Sequence, residues 1–187
     1  MTSENKVFIG VLLVIALGIG WLVVSGSQGE GSPAGSPHQS EQLSVGLQEG
    51  DQAPAFSITT IDGETITSEM LRGQVVILTT SAAWCPTCVI EAQQFAPVYE
   101  KYQDEPVTFL TIDIDPNVTV DQIEQFRRDN GTPWAYTQAA GAAQWIQDYK
   151  IDRFEITYVI GQDGVIYFKD GEITSSANLD AAIGQLL

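Results

Sequence analysis

The sequence predicts an α/β fold in which a mixed central sheet is flanked by helices on both faces, preceded by one N-terminal transmembrane helix. Segments with strand-like patterns alternate with segments of helical spacing, which requires a sheet covered on both faces. Two strand-like segments near the C-terminus are joined by the tight turn Asp163-Gly164, which adds antiparallel strands to that sheet. An uncharged apolar run at residues 7–24 predicts the transmembrane helix.

The first half of the globular region has two predicted strands and one predicted helix. A strand at 55–61 ends at the turn Asp62-Gly63. The run 74–82 begins with consecutive apolar residues, which is typical of a strand buried on both faces. Helical spacing then extends from Cys85 to about residue 103, with Pro97 predicted to kink the helix.

The second half continues the alternation. Thr119 and Gln122 form a capping-box signature that opens a helix, and Asn130-Gly131 is a stop signal for it. The predicted elements are a strand at 107–114, a helix from 120 through 128, a helix at 140–149, hairpin strands at 156–161 and 165–168, and a closing helix at 179–187.

The N-terminal run is just long enough to cross about 30 Å of hydrocarbon as a helix. Lys6 precedes it and no Lys or Arg follows until Arg72, which predicts a cytoplasmic N-terminus and an extracytoplasmic remainder. A cleaved secretory signal remains an alternative because Ser25 and Ser27 are small, although the run exceeds the ~7–15 apolar residues of a signal. The predicted organisation is a cytoplasmic tail at 1–6, an anchor at 7–24, a flexible linker at 25–44 and a globular domain at 45–187.

Composition limits the partners of this domain. The linker is rich in Gly, Ser and Pro and contains the only histidine, His38, which is therefore a poor candidate for a ligand or base. Residues 45–187 contain twenty-one acidic and seven basic residues, a net charge of −14. We therefore expect no nucleic-acid partner, and either a solvated acidic surface or cationic partners.

The two cysteines lie three positions apart, at the predicted junction between a strand and a helix. Unpaired N–H groups at a helix start stabilise a thiolate, so Cys85 is the candidate nucleophile. Cys88, one turn further on, is the candidate resolving cysteine. Pro86 suits the first turn because its missing N–H donor has no role there.

Two other interpretations of the pair are disfavoured. A purely structural disulfide would close a loop too short to stabilise the fold much. Half of a zinc site would need further ligands, and the domain contains no other cysteine and no histidine. We therefore predict a redox-active Cys85–Cys88 disulfide, no metal and no other cofactor.

With these residues in view, the chain from Gly50 to Leu187 resembles the thioredoxin superfamily, and within it the TlpA/ResA/CcmG-like and AhpC/TSA-related redoxins. The most specific segment is AWCPTC, in which Trp84 and Thr87 neighbour the cysteines. The other matching segments are GDQAPAF at 50–56, the turn Asp62-Gly63, LRGQVVIL at 71–78, and the stretch from Tyr149 through Asp163-Gly164.

The resemblance implies a thioredoxin-like fold and thiol–disulfide oxidoreductase activity. It implies as clients exported proteins with disulfides, such as apocytochrome c or metal-site assembly factors, and as electron donor a membrane thiol reductase. It also implies that Glu91 is a buried proton relay for Cys88, with a raised pKa. A solvent-facing Glu91 is the alternative. Thioredoxin instead uses a buried aspartate in the preceding strand, where this chain has Thr79.

One departure from the family concerns the loop before the penultimate strand. Relatives have a cis-proline there, whereas this chain reads Phe154-Glu155-Ile156-Thr157. A cis bond without proline costs about 3 kcal/mol, so we expect a trans loop in which Glu155 or Ile156 faces the cysteines. Either residue would alter partner choice or redox potential.

Two alternative functions stay open at this point. A Cu(I)-binding chaperone is suggested by similarity to SCO-type redoxins, although Arg153 stands at their metal-ligand histidine and the cysteine spacing differs. A thiol peroxidase is the other alternative, although Ala82 replaces the threonine that positions the peroxide.

Overall fold

The computed structural model describes residues 43–187. The predicted tail at 1–6, the anchor at 7–24 and nearly all of the linker at 25–44 lie outside the described residues. Within the described part of the chain, no helix is both long and apolar enough to span a bilayer.

The chain alternates strands and helices in the predicted manner. The strands are β1 (Ser57–Thr59), β2 (Thr65–Thr67), β3 (Val75–Ser81), β4 (Val107–Asp113), β5 (Ala135–Thr137), β6 (Thr157–Ile160) and β7 (Ile166–Asp170). The helices are α1 (Pro86–Tyr102), α2 (Val120–Asn130), α3 (Ala143–Asp148) and α4 (Ser176–Gly184), and a short 3₁₀ helix at Ala139–Ala142 precedes α3.

The central sheet has five strands in the order β5-β4-β3-β6-β7. β3 pairs in parallel with β4 and antiparallel with β6, so the sheet is mixed, as predicted. β6 and β7 form the predicted antiparallel hairpin. β1 and β2 form a separate antiparallel pair.

Alternate residues of the central strands enter two hydrophobic clusters, one on each face of the sheet. Val75 and Ile77 of β3 pack with residues of α1, α2 and α4, whereas Val76 and Leu78 pack with residues of α3 and β1. Every residue of β3 is buried, which confirms the prediction of a strand covered on both faces. Helices therefore flank the sheet on both sides.

Several boundaries differ from the predicted ones. β2 and β5 were not predicted. Each has three residues and no marked apolar pattern, so it is recognised as a strand only by its pairing with a neighbouring strand. The closing helix begins at Ser176, three residues earlier than predicted, because the Ser175 side chain caps it. The predicted capping box at Thr119 and the stop at Gly131, with φ of 63°, are both confirmed. Helix α1 continues through Pro97.

Candidate active site at the start of helix α1

The cysteine pair lies at the junction between the carboxyl end of β3 and the start of α1. Cys85 is the N-cap residue, and its Sγ accepts a hydrogen bond from the backbone N–H of Cys88 at 3.3 Å. The Oγ1 of Thr87 lies 3.2 Å from the same sulfur. The two cysteines form a disulfide with a Cα–Cα distance of 5.2 Å. The Cys85 sulfur therefore lies where helix N–H groups stabilise negative charge.

Glu91, one turn after Cys88, is buried, with 3% of its surface exposed. Its carboxylate accepts hydrogen bonds from the backbone N–H of Thr174 at 3.1 Å and from the hydroxyl of Thr79 at 3.2 Å. Burial raises the pKa of Glu91 to about 7, against the opposing effect of these hydrogen bonds. A carboxyl group with such a pKa can both accept and donate a proton near neutral pH.

Three threonines are aligned across the central sheet, and two of them contact this carboxylate. Thr79 of β3 is in register with Thr111 of β4 and Thr157 of β6, so the three side chains lie on one face of the sheet. The Thr157 hydroxyl lies 3.0 Å from that of Thr79 and 3.4 Å from a Glu91 oxygen. The sheet thus supplies neutral hydrogen-bond donors in place of the aspartate that thioredoxin has in this strand.

Cys88 and Glu91 line the same small cavity of about 10 Å³. Thr79, Ser81 and Thr111 also contribute to its wall. This volume is at the lower limit for a single water molecule, and the wall offers several polar partners. The side chains of Cys88 and Glu91 therefore border one common space.

The loop before β6 brings a second carboxylate to the disulfide. Glu155 has a left-handed backbone conformation, with φ of 62°, and its Oε1 lies 3.9 Å from the Sγ of Cys85. No peptide bond in residues 43–187 is cis. The Ile156 side chain packs into the cluster on the opposite face of the sheet, so Glu155 is the residue that faces the cysteines.

Hydrogen bonds to Thr80 at the end of β3 fix this loop. The backbone carbonyl of Thr80 accepts from the N–H of Glu155 at 3.0 Å. The hydroxyl of Thr80 accepts from the N–H of Ile156 at 2.9 Å and donates to the carbonyl of Arg153 at 3.2 Å. A left-handed conformation costs a non-glycine residue about 1–2 kcal/mol, so these contacts hold Glu155 where it would not lie unaided.

Two aspartates, the last residue of β4 and one just after it, position the segment that leads into the cysteines. Asp113 is buried and accepts hydrogen bonds from the backbone N–H groups of Ala83 at 2.8 Å and Asp115 at 3.0 Å. Burial raises the pKa of Asp113 to about 6. Asp115 accepts from the indole N–H of Trp84 at 2.7 Å. Trp84 is 58% exposed and contacts Phe154 edge to face, forming an apolar surface beside the disulfide.

The structure thus brings together the predicted residues Cys85, Cys88, Glu91 and Glu155, with Trp84, Pro86 and Thr87 around them. Sequence reasoning missed Asp113, Asp115 and Thr80. An acidic residue at the carboxyl end of an apolar strand could have indicated Asp113, because parallel strands end at the same edge of a sheet. Nothing in the local sequence indicates the contacts of Thr80, which depend on the pairing of β3 with β6.

The chain is similar in sequence to a known protein family and to named relatives. The model of the AhpC/TSA family matches residues 49–169. The thioredoxin-like protein YneN of Bacillus subtilis is 30% identical over 127 residues, 65% of this chain and 71% of YneN. The thiol-disulfide oxidoreductase ResA of Bacillus thuringiensis is 26% identical over 120 residues, 64% of this chain and 68% of ResA.

Solved structures share the fold. A thiol:disulfide interchange protein of the thioredoxin family from Chlorobium tepidum superposes with a TM-score of 0.65 at 22% identity, covering 76% of this chain and 99% of that protein. At this identity the match supports the fold alone.

Fold, cysteine pair and relatives together define a thioredoxin-like thiol–disulfide oxidoreductase of the ResA type. The chain belongs to the AhpC/TSA family.

Proposed function

We propose that this protein is an extracytoplasmic reductase of disulfides in exported proteins, tethered to the membrane by residues 7–24. The observation that carries the proposal is the Cys85–Cys88 disulfide at the start of α1, between the buried carboxyl of Glu91 and the carboxylate of Glu155. The Glu91 carboxyl group can accept the proton of Cys88. The Glu155 carboxylate opposes ionisation of the Cys85 thiol.

In the proposed reaction the Cys85 thiolate attacks a client disulfide. A bond forms between Cys85 and one client sulfur, and the other client sulfur leaves as a thiolate. Cys88 transfers its proton towards Glu91 and then attacks the Cys85 sulfur. The second client sulfur is released, and the Cys85–Cys88 disulfide forms, so two electrons have passed to the client. A membrane dithiol reductase returns the pair to the reduced state.

Glu155 favours the reducing direction. Its negative charge lies 3.9 Å from the Cys85 sulfur, where it opposes thiolate formation. A destabilised thiolate makes the reduced pair less stable relative to the disulfide, so the pair gives up its electrons more readily. By resemblance to ResA-type redoxins, the proposed clients are apocytochrome c or metal-site assembly factors.

The experiment that tests this proposal is the capture of a client. A Cys88→Ser variant cannot resolve the mixed disulfide, so it should accumulate a covalent adduct through Cys85 that a thiol reductant dissolves. Cys85→Ser is the matched control and should form no adduct. If a folded Cys88→Ser variant forms no adduct with exported proteins, the reductase proposal fails.

The thiol peroxidase alternative makes a different prediction. Ala82 is buried and has no hydroxyl group to position a peroxide. The reductase proposal therefore expects disulfide reduction of a model substrate such as insulin without peroxide consumption. Peroxide turnover that depends on Cys85 would favour the peroxidase instead.

The proposed location can be tested on the full chain. Fusion of a reporter that is active only outside the cytoplasm to Leu187 should give activity in the membrane fraction. Release of an active soluble product would favour a cleaved signal, and an inactive fusion would contradict the extracytoplasmic proposal.

A further inference from the structure

We propose that, once the Cys85–Cys88 disulfide is reduced, its two sulfurs and the carboxylate of Glu155 bind one Zn²⁺ ion. The ligand atoms of these three residues all lie within 4.8 Å of one another. The sequence argument against zinc counted only cysteine and histidine as ligands. Glu155 supplies a third ligand, which a loop seventy residues further along the chain brings to the pair.

The distance between Cys85 and Glu155 is close to that in a tetrahedral zinc site. Zinc binds sulfur at about 2.3 Å and carboxylate oxygen at about 2.0–2.2 Å, which places tetrahedral ligands about 3.6 to 3.8 Å apart. The observed distance from Cys85 Sγ to Glu155 Oε1 is 3.9 Å. Reduction breaks the bond between the sulfurs and lets them separate, while the helix start keeps the Cα atoms 5.2 Å apart.

The local charge also favours a divalent cation. Within residues 43–187, Glu155 takes part in no ion pair with Lys or Arg. Deprotonation of the reduced cysteines would add two further negative charges beside it. The surrounding globular region has a net charge of −14, so it raises the local concentration of cations. A bound Zn²⁺ offsets two of the three negative charges of the ligand set.

The backbone of Glu155 is held in position before any ion arrives. Its backbone N–H and that of Ile156 are both bonded to Thr80, and the loop adopts its left-handed turn at Glu155. Ligands fixed in this way lose little conformational freedom on binding, which increases affinity. The loop before β6 is therefore part of the proposed binding site.

The donor set determines which ion fits. Magnesium and calcium take oxygen ligands only, whereas Cu(I) is satisfied by the two thiolates and does not require the carboxylate. Two thiolates, one carboxylate and one solvent molecule make a four-coordinate zinc site. Binding moves no electrons: both thiol protons are released to solvent, and the two S–H bonds are replaced by two Zn–S bonds.

The test uses the full-length protein, reduced with a phosphine, freed of reductant and kept anaerobic. Titration with Co²⁺ should produce a near-ultraviolet sulfur-to-metal charge-transfer band and visible bands of tetrahedral cobalt. Zn²⁺ should displace the cobalt at one ion per chain. The oxidised protein should give neither signal. If the reduced wild-type protein gives no tetrahedral cobalt signal, the proposal is wrong.

Substitutions at Glu155 separate the proposed site from binding by the cysteines alone. Loss of even an outer-shell partner weakens metal binding about 10- to 100-fold, so Glu155→Gln should weaken Zn²⁺ binding at least that much. Glu155→His supplies another zinc ligand and should restore binding. Glu64→Gln, at an exposed glutamate in the turn between β1 and β2, is the matched control and should bind as the wild type does.

One result at Glu155 would overturn the proposal. If a folded Glu155→Gln variant binds Zn²⁺ as tightly as the wild type, the carboxylate is not a ligand. That result would leave the reductase proposal intact, because client capture by the Cys88→Ser variant is measured with a chelator present and does not involve the metal.

Discussion

At the scale of single residues, Glu155 brings a carboxylate to within 3.9 Å of the reactive sulfur. Its charge opposes the stabilisation that Cys85 receives from the start of α1. We predict that Glu155→Gln lowers the pKa of the Cys85 thiol by about one unit. One unit corresponds to about 1.4 kcal/mol, so the reduction potential should rise by up to about 30 mV. Thiolate absorbance against pH and equilibration with glutathione measure the two effects.

These measurements need a chelator, so that metal binding does not stabilise the thiolates. The exposed Glu64→Gln variant serves as the control. Equal thiol pKa values in the wild type and in Glu155→Gln would show that Glu155 does not influence the cysteine.

Glu91 makes a second prediction, about stability and pH. Its pKa is raised from 4.5 to about 7 in the folded protein, so folding favours the protonated form. The associated stability is fully present below pH 4.5 and is lost as the pH rises through about 7. The glutamine of Glu91→Gln cannot ionise, so this variant does not lose stability as the pH rises. Its free energy of unfolding should gain about 3 kcal/mol relative to the wild type across that range.

Chemical denaturation of both proteins at a series of pH values measures this difference. Asp113, with a pKa of about 6, titrates in the same range but is present in both proteins, so its effect cancels. A difference that does not change with pH would mean that Glu91 is not buried as a neutral acid. The same variant should lose the pH dependence near 7 in the release of client from the mixed disulfide, if Glu91 relays the proton of Cys88.

The residues of the site differ in how far sequence could predict them. The cysteine pair, Glu91 and Glu155 carry local or family signals that place them near one another. Thr80 carries no such signal, because its role arises from contacts with the loop across the sheet. Asp113 carries only a positional signal, that of an acidic residue at the end of an apolar strand, and its contact with Ala83 is not visible in the sequence. The left-handed conformation of Glu155 was equally unpredictable, since glutamate has no preference for it.

At the scale of elements, the strand β3 supports the site from both of its faces. Thr79 contacts Glu91, while Thr80 holds the loop that carries Glu155. The long elements were predicted from periodicity because each buries a continuous apolar face. The three-residue strands β2 and β5 were not predicted, since they are too short for a period to appear and are defined by pairing with their neighbours.

Removal of the Thr80 hydroxyl should loosen this loop. Thr80→Val leaves the buried N–H of Ile156 without its side-chain acceptor, so we predict a loss of about 1–3 kcal/mol in the free energy of unfolding. Thr80→Ser retains the hydroxyl and should lose much less. Denaturant titration measures both variants. A larger loss in Thr80→Ser than in Thr80→Val would show that packing of the methyl group, and not the hydrogen bond, holds the loop.

At the scale of the whole molecule, residues 45–187 have a net charge of −14. The excess negative charges repel one another in the folded state and lower its stability. Raising the salt concentration from about 0.01 M to about 1 M shortens the screening length from about 30 Å to about 3 Å. We predict a stabilisation of about 1 kcal/mol near neutral pH, or roughly 2–4 °C in Tm for a chain of this size.

The control for this prediction is the same titration near pH 4, where about half of the carboxylates are protonated. Salt should stabilise the protein less there. An equal effect at both pH values would indicate that salt acts through apolar burial and not through charge screening.

The central claim is that Cys85 and Cys88 reduce the disulfides of other proteins, and the reduction potential of the pair tests it most directly. Equilibration of the wild-type protein with glutathione buffers, in the presence of a chelator, gives this value. We predict a potential close to the −270 mV or so of thioredoxin, as suits a reductant with a carboxylate beside its nucleophile. A potential near the −120 mV or so of DsbA would identify an oxidant and contradict the account.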